Sequence, residues 1–372
     1  MGSVMAFPGR TGVWTETVGP DAVAGLLGAW RALEADACRI PVSVGLLQAA
    51  GRLEDRDLRV IAIHDDDGLV AVWPLGLERV GPARVARRLG RDLQPYDGLT
   101  LASRACARTV RVAAWQEVRG WDDVDVLRLE ALTAGDPLLG TRCAGPWCST
   151  VHRTGRILLD PSRPLLARRS KSRRKSVRRR RRALEAMGAV RLVRATTPED
   201  REDAVRQAIL AKRAWLDTKG ALGPVVRGEA FLRQLCAVAR QPVEDTLLEV
   251  FVLEVGGRDV AWEIGHRDGD VHRSFVGAYH PDFANLGVGV ALTLEVADWC
   301  AGHGLRIYDF LPPLTDFKAE WADHERVVRQ VVCPLRARGR LFVPAVRDGR
   351  RLAKKAWTSL MPEELAQRLF AS

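Results

Sequence analysis

No stretch of this 372-residue chain approaches the roughly 18 to 20 uncharged apolar residues that a membrane-spanning helix needs. The first residues, Met1 to Arg10, also lack the apolar core of a secretion signal. Nor does the sequence hold a Cys-x-x-Cys pair, or a histidine at metal-ligand spacing from a cysteine. These absences argue against a spanning protein, a secreted disulfide scaffold and a zinc module. The expectation is a cytoplasmic chain, at most peripheral at the inner membrane, that uses no metal. Its 7 scattered cysteines read as reduced thiols filling small core positions.

Acid is missing where base is densest. Arg168, Arg169, Lys171, Arg173, Arg174, Lys175 and Arg178 to Arg182 follow one another with no Asp or Glu among them. The net charge is +11, and removing those eleven leaves 46 basic residues against 46 acidic ones. The excess therefore belongs to one segment. Ser170 to Met187 reads as a helix with Val177, Leu184 and Met187 on one face, ended by Gly188. A solvated basic helix is one reading. A bound polyanion is the other, with Arg178, Arg179, Arg180, Arg181 and Arg182 as its anion-binding residues. The run has no aromatic residue for base stacking, so tRNA fits it less well than an anionic membrane surface, a lipid-linked glycan precursor or a cyclic dinucleotide.

With 47% hydrophobic residues and 11 Trp, the chain can fill two cores, and two domains are expected, 1–150 and 151–372, the second preceded by the basic helix 168–187. In the first, a helix (Asp21 to Ala37) precedes a hairpin (Leu58 to His64, Leu69 to Leu77) turned at Asp65-Asp66-Asp67-Gly68. A basic segment (Arg84 to Arg91), a helix (Thr109 to Val118), a strand (Val124 to Leu129) and a short helix (Asp136 to Cys143) follow. Trp147 to Asp160 is irregular or extended.

In the second, a strand (Val190 to Ala195) leads to a helix capped by Thr197 with Pro198 at its first position. After a helix at Phe231 to Arg240 come strands at Leu247 to Val255, Val260 to His266 and Val271 to Tyr279. A loop, Asn285-Leu286-Gly287-Val288-Gly289, then opens into an apolar helix (Val290 to Ala301), followed by a strand (Leu305 to Leu311). Beyond Trp321, strands are expected at Val327 to Leu335 and Leu341 to Val346, and a basic amphipathic helix from Asp348. The first half repeats the order of the second without its glycine loop, and is not expected to bind a nucleotide.

A glycine loop between strand and helix leaves the first helical N–H groups without internal partners, at the positive end of the helix. A diphosphate can sit there.

The segments SKSRRKSVRRRRRALEAMGAVRL, KRAWLDTKG, GAYHPDFANLGVGVAL and YDFLPPLTDFKAEWA together resemble the FemAB-like branch of the GNAT acetyltransferase superfamily, in particular the acetyltransferases associated with cellulose and other exopolysaccharide synthesis. The likeness is strongest from Lys171 to Trp321. Two departures stand out: the loop lacks the Arg or Gln that often opens its GNAT counterpart, and His280 stands where an acid is usual.

The resemblance implies an α/β (α+β) fold of two tandem GNAT-like domains, each a mixed, mainly antiparallel sheet flanked by helices. It also implies acetyl-CoA as donor, and a sugar or lipid-linked glycan as acceptor. Fem relatives instead transfer amino acids from aminoacyl-tRNA. A third reading is a non-catalytic effector that binds a cyclic dinucleotide or anionic membrane through the basic helix.

For the donor, Leu286, Gly287, Val288 and Gly289 would hold the pyrophosphate, and the strand edge around Val276 and Gly277 the amide-bearing arm. Lys318 matches the Phe-Lys pair of Fem-type transferases and would hold negative charge on a tetrahedral intermediate. Candidates for the base are Glu263, flanked by Trp262 and Ile264 in an apolar strand, and Asp309. Glu263 and His266, three apart on a strand, are expected on opposite faces. Tyr308 or Tyr279 would return a proton to the thiolate. For the acceptor, the choices are Tyr96, Asp97, Arg213, Trp215, Lys219, Tyr279, Phe317 and Trp321.

Overall fold

The computed structural model describes residues 13–37, 40–94, 96–139, 148–218, 220 and 224–343. They form two units: one of residues up to Arg153 together with those from Val327, the other Thr154 to Arg326. The chain from Val327 thus returns to the first unit, whereas the sequence placed it at the end of the second.

The first unit begins with β1 (Trp14–Val18), α1 (Leu27–Asp36) and α2 (Val44–Ala49). Then come β2 (Leu58–Asp65), β3 (Gly68–Val80), β4 (Ala83–Arg88), the short β5 (Thr100–Leu101), α3 (Ala107–Gly120) and β6 (Val126–Thr133). The β2–β3 hairpin turns on Asp65, whose carboxylate accepts from the Asp67 N–H, and on Gly68 at φ 119°. The basic segment read without a structure is the strand β4. Asp136 to Leu139, expected to start a helix, is a turn in which Asp136 accepts from the Leu138 N–H. The remainder of that expected helix lies outside the described residues.

The second unit holds β7 (Cys148–Leu158), which enters it at Thr154, α4 (Lys171–Glu185), β8 (Val190–Arg194) and α5 (Pro198–Thr218). There follow α6 (Pro224–Arg227), α7 (Glu229–Ala239), α8 (Val243–Thr246), β9 (Leu248–Val255), β10 (Arg258–Asp268) and β11 (Val271–Tyr279). The last are α9 (Val288–Gly302), β12 (Ile307–Asp309), α10 (Asp316–Trp321) and β13 (His324–Pro334), whose later residues pair with β6 in the first unit. Ser170 caps α4 by accepting from the Arg173 N–H, and Thr197 accepts from the Asp200 N–H at the start of α5. Met187 lies beyond the end of α4 and is 53% exposed, so the apolar face of that helix is Val177 and the fully buried Leu184 alone.

The two units repeat one topology. In the first, β1, β2, β3 and β4 are antiparallel neighbours, and a crossover containing α3 brings β6 parallel to β4. In the second, β8, β9, β10 and β11 are antiparallel neighbours, and α9 brings β12 parallel to β11. An antiparallel strand then covers the far side, β13 on β6 and β7 on β12. Each unit is therefore a mixed, mainly antiparallel sheet flanked by helices.

Residues 341–343 are helical, where a strand was expected through Val346; 344–346 and the C-terminal helix expected from Asp348 lie outside the described residues. Their apolar side chains satisfy the same need as a strand face would, since Phe342 and Val343 pack on the buried Ala83, Val85 and Val126. Arg336 fixes the turn before them by donating to carbonyls at the end of α3, Arg119 O within the helix and Trp121 O just after it.

Candidate active site of the second unit

The parallel pairing of β11 with β12 is brief: Val271 faces Ile307, His272 faces Tyr308 and Arg273 faces Asp309. From Ser274 to Tyr279, β11 continues with β10 on one side and, among the described residues, no strand on the other. That leaves backbone N–H and C=O groups facing an opening where an amide-bearing chain can add as a strand. Val276 is 6% exposed and Gly277 lies open on this segment.

At the far end of β11 a 3-10 turn, Pro281–Leu286, delivers the chain to Gly287, the N-cap of α9, at φ 71°. Glycine adopts this left-handed conformation without the Cβ clash that other residues meet. The Ala291 N–H donates to Gly287 O, so Val288, Gly289 and Val290 present the free N–H groups of the helix start. Gly289 has ordinary backbone geometry, and a Cβ there would only touch the Tyr279 ring, at 3.7 Å. The charge missing from the loop's own sequence arrives from α4. A Cβ on Gly287 would stand 2.7 Å from Arg180 Cδ and 3.2 Å from its Nη1, so the Arg180 side chain lies directly over the turn.

The rest of the basic run divides by helical position. Arg181 turns inward to Glu295 on α9 and to Glu185, 3.0 Å away. Arg173 pairs with Glu320 at 2.7 Å, and Arg168 and Arg169 both reach Asp323. Lys171, Lys175, Arg178, Arg179 and Arg182 are exposed with no ion pair among the described residues. Their spacing puts them in one stripe on the outer face of α4, about 16 Å long at the helical rise. Arg178, at the edge of that stripe, also lines a cavity with Arg180, Arg181, Leu286 and Gly287, so of the group read from sequence only Arg179 and Arg182 point wholly outward.

Under the open edge, four adjacent strands contribute one polar side chain each to a buried row. Glu249 on β9, Glu263 on β10, His272 on β11 and Tyr308 on β12 are all at most 2% exposed. His272 Nε2 lies 2.9 Å from Glu263 Oε1 and its Nδ1 3.4 Å from Glu249 Oε2; the Tyr308 hydroxyl donates to Glu263 Oε2 at 2.7 Å. Burial alone would lower the His272 pKa, but the two carboxylates outweigh it and raise it to about 9. Burial likewise opposes the Glu249 charge, and His272 with Arg194 holds that carboxyl below its ordinary range. Burial and the Glu263 charge push the Tyr308 hydroxyl well up, so it stays a donor. Gly265 makes room for the imidazole: a Cβ there would fall 2.2 Å from His272 Cε1.

Glu263 is therefore an interior carboxylate with two partners. His266 lies on the opposite face, as expected, and is also fully buried there, beside Phe275 under the helices α5 and α7.

Asp309 and Lys318 meet at a third residue. Asp309 is fully buried and accepts from Arg156 Nε at 2.7 Å, Thr154 Oγ1 at 3.2 Å and the Leu311 N–H at 2.9 Å. Lys318 Nζ donates to Leu311 O at 2.8 Å. Leu311 has φ 60°, a left-handed conformation unusual for a branched side chain, and its peptide groups are gripped by both candidates. Burial and repulsion from Lys212 lower the Lys318 pKa to about 8. One of its three protons is used on Leu311, leaving two for an oxyanion.

The acceptor candidates disperse. Arg213 holds the turn before α7, donating to Val226 O and Gly228 O and pairing with Glu229 at 2.6 Å. Trp321 is 2% exposed beneath the guanidinium of Arg173, whereas Phe317 is 37% exposed. Trp215 carries Lys212 over its ring, and Tyr279 flanks the glycine turn half-buried. Lys219 lies outside the described residues. In the first unit, Tyr96 and Asp97 are 1% and 2% exposed; Asp97 accepts from the Gly98 and Glu130 N–H groups, and burial raises its pKa to about 6 against the pull of Arg88. Sequence reading missed Glu249, His272, Lys212 and Arg156. A charged residue inside each of three successive apolar strands was the signal for the first two.

Residues 171–319 match the family model described as an acetyltransferase (GNAT) domain. No curated protein matches the chain. Among solved structures it is similar to FemX, at 11% identity and a TM-score of 0.56, covering 82% of this chain and 95% of that one. It is also similar to L-PGS from Bacillus licheniformis, at 14% identity and a TM-score of 0.55, covering 91% and 98%. At such identities these likenesses concern the fold. The segment from α4 to α10 is a GNAT-type acetyltransferase domain, and the chain is an acyltransferase.

Proposed function

We propose that the chain transfers an acetyl group from acetyl-CoA to an amino sugar or sugar hydroxyl in the assembly of an exopolysaccharide or another cell-surface glycan. The observation that carries the donor is the pairing of an open β11 edge with the Gly287 turn. An extended pantetheine arm would add along Ser274 to Tyr279, and the diphosphate would meet the N–H groups of Val288, Gly289 and Val290 beside Arg180. Among the described residues of the first unit, β4 ends at Arg88, immediately after its parallel pairing with β6. The sugar acceptor rests on the resemblance of the sequence motifs.

Attack is direct, in a ternary complex, on a thioester held at the divergence of β11 and β12. Lys318 would stabilise the tetrahedral oxyanion. Tyr308 would give its hydroxyl proton to the departing thiolate and recover one from the attacking amine or hydroxyl of the acceptor, while Glu263, locked between His272 and Tyr308, orients that hydroxyl. Calorimetry with acetyl-CoA tests the donor: saturable binding by the wild type, lost in Gly289→Glu, is expected. Equal binding by both would remove the loop from the site.

The outward stripe of α4 favours a second reading, a Fem-type aminoacyltransferase in which those five cations hold tRNA. Acyl transfer from charged tRNA and none from acetyl-CoA would establish it. A non-catalytic effector would instead bind a cyclic dinucleotide or anionic vesicles through the same stripe and turn over no acyl donor.

A further inference from the structure

A cavity lies apart from the β11 edge and the buried row. It is a groove of about 150 Å³ between α4 and α9, bounded at one end by the turn that carries Leu286 and Gly287. Val177 and Leu184 of α4, with Val290 and Leu294 of α9, give it apolar walls. Arg178 and Arg180 also line it, both exposed and without an ion pair among the described residues. Arg181 differs from them, because Glu295 and Glu185 already hold its charge. Toward the later part of α9, Asp298 uses one carboxylate oxygen on the Leu165 N–H, at 3.0 Å, and the second has no hydrogen bond among the described residues.

The groove thus combines two guanidinium groups, an apolar slot and a carboxylate acceptor. A volume of that order holds one planar ring system. A bare anion would use the arginines alone, a hydrocarbon tail the walls alone, and a sugar would set its hydroxyls against leucine and valine. A purine nucleotide answers all three, with its phosphates to arginine, the faces of its base to the walls and its exocyclic amine to Asp298. The groove also shares Gly287 with the seat of the donor diphosphate, so a donor whose pantetheine arm leaves along β11 has its nucleotide end free to turn toward α4. We propose that the α4–α9 groove binds the adenine and 3′-phosphate of acetyl-CoA, with Arg178 and Arg180 on the phosphates. This rests on the acetyl-CoA reading and deepens it: the donor is the free nucleotide thioester, and an acyl group on the phosphopantetheine of a carrier protein, which has no nucleotide, is a poor substitute.

Calorimetry needs no acceptor, and three probes divide the donor into its parts: acetyl-CoA, acetyl-phosphopantetheine and adenosine 3′,5′-bisphosphate. The bisphosphate should bind saturably and be displaced by acetyl-CoA. Acetyl-CoA should bind about 100-fold more tightly than acetyl-phosphopantetheine. Ala291→Leu fills the groove from α9, and Arg178→Gln changes an exposed side chain that the core does not need. Each should weaken acetyl-CoA and the bisphosphate about ten-fold and leave acetyl-phosphopantetheine unchanged. A bisphosphate that does not bind, or an acetyl-CoA affinity indifferent to both variants, would overturn the site. Bisphosphate that stays bound beside saturating acetyl-CoA would overturn its assignment to the donor and mark a separate nucleotide site. A protein that binds acetyl-CoA yet shows any of these results loses this inference alone, whereas one that binds the bisphosphate through Arg178 and neither acetylated probe keeps the nucleotide groove and loses the donor.

Discussion

Arg180 lies across Gly287, its Cδ 2.7 Å from where a Cβ would be, so the guanidinium and the turn that starts α9 are one structural element. The two glycines of this loop should then behave differently. Gly287→Ala puts a Cβ into both a left-handed backbone and Arg180, and should cost about 1–2 kcal/mol in urea denaturation. Gly289→Ala meets neither obstacle and should leave the unfolding midpoint nearly unchanged. Equal losses in the two variants would contradict this division.

Arg180→Ala removes a cation from the helix start without touching the core. Acetyl-CoA affinity should fall about ten-fold at low salt, and by less at high salt, because an exposed charge is screened. Arg179→Ala, on the outer stripe, should leave it unaltered. Calorimetry at two salt concentrations separates the cases.

His272 links two interior carboxylates, and His272→Ala leaves both without their shared cation. A loss of about 3–5 kcal/mol is expected in denaturant titration, as for a buried pair stripped of one member. The pH dependence has a defined sign. His272 has a folded pKa of about 9 against 6.5 unfolded, so its contribution is complete below pH 6.5 and is lost as pH rises through about 9. Wild-type stability should fall over that window more than that of the variant.

Lys318 must be charged to hold an oxyanion, and its pKa is lowered to about 8, first by burial and then by Lys212. Turnover should decline as pH rises past about 8. Removing the repulsion in Lys212→Gln should move that decline to higher pH, readable from kcat against pH. The stability effect runs the other way: the penalty on a charged Lys318 is full below pH 8 and is relieved between about 8 and 10.5. A decline that stays in place in Lys212→Gln would separate the two lysines.

Much of the second unit was legible because its signals are local. Thr197 and Ser170 cap helices through their own hydroxyls, the β10–β11 turn carries Gly269 at φ 58°, and Gly287 had to be glycine to turn into α9. Strand β4 was hidden by its arginines, since Arg87 reaches Glu78 at 2.6 Å and Arg88 bonds the loop that follows. A charged strand carries no apolar alternation to read.

By itself the sequence determined the order of strands, the glycine turn, the basic helix and the placement of Lys318 after its Phe, because each depends on neighbours within a few residues. Only the tertiary structure decided what those parts face. Arg180 and Gly287 lie 107 residues apart, and one helical step separates Arg180, over the turn, from Arg181, paired inward with Glu295. Glu249, Glu263, His272 and Tyr308 become a row only when β9 to β12 take their register and a bulge at Gly265 lets the imidazole in. Burial and charge pairing depend on distance through the fold, and the periodicity of a sequence carries no record of that distance.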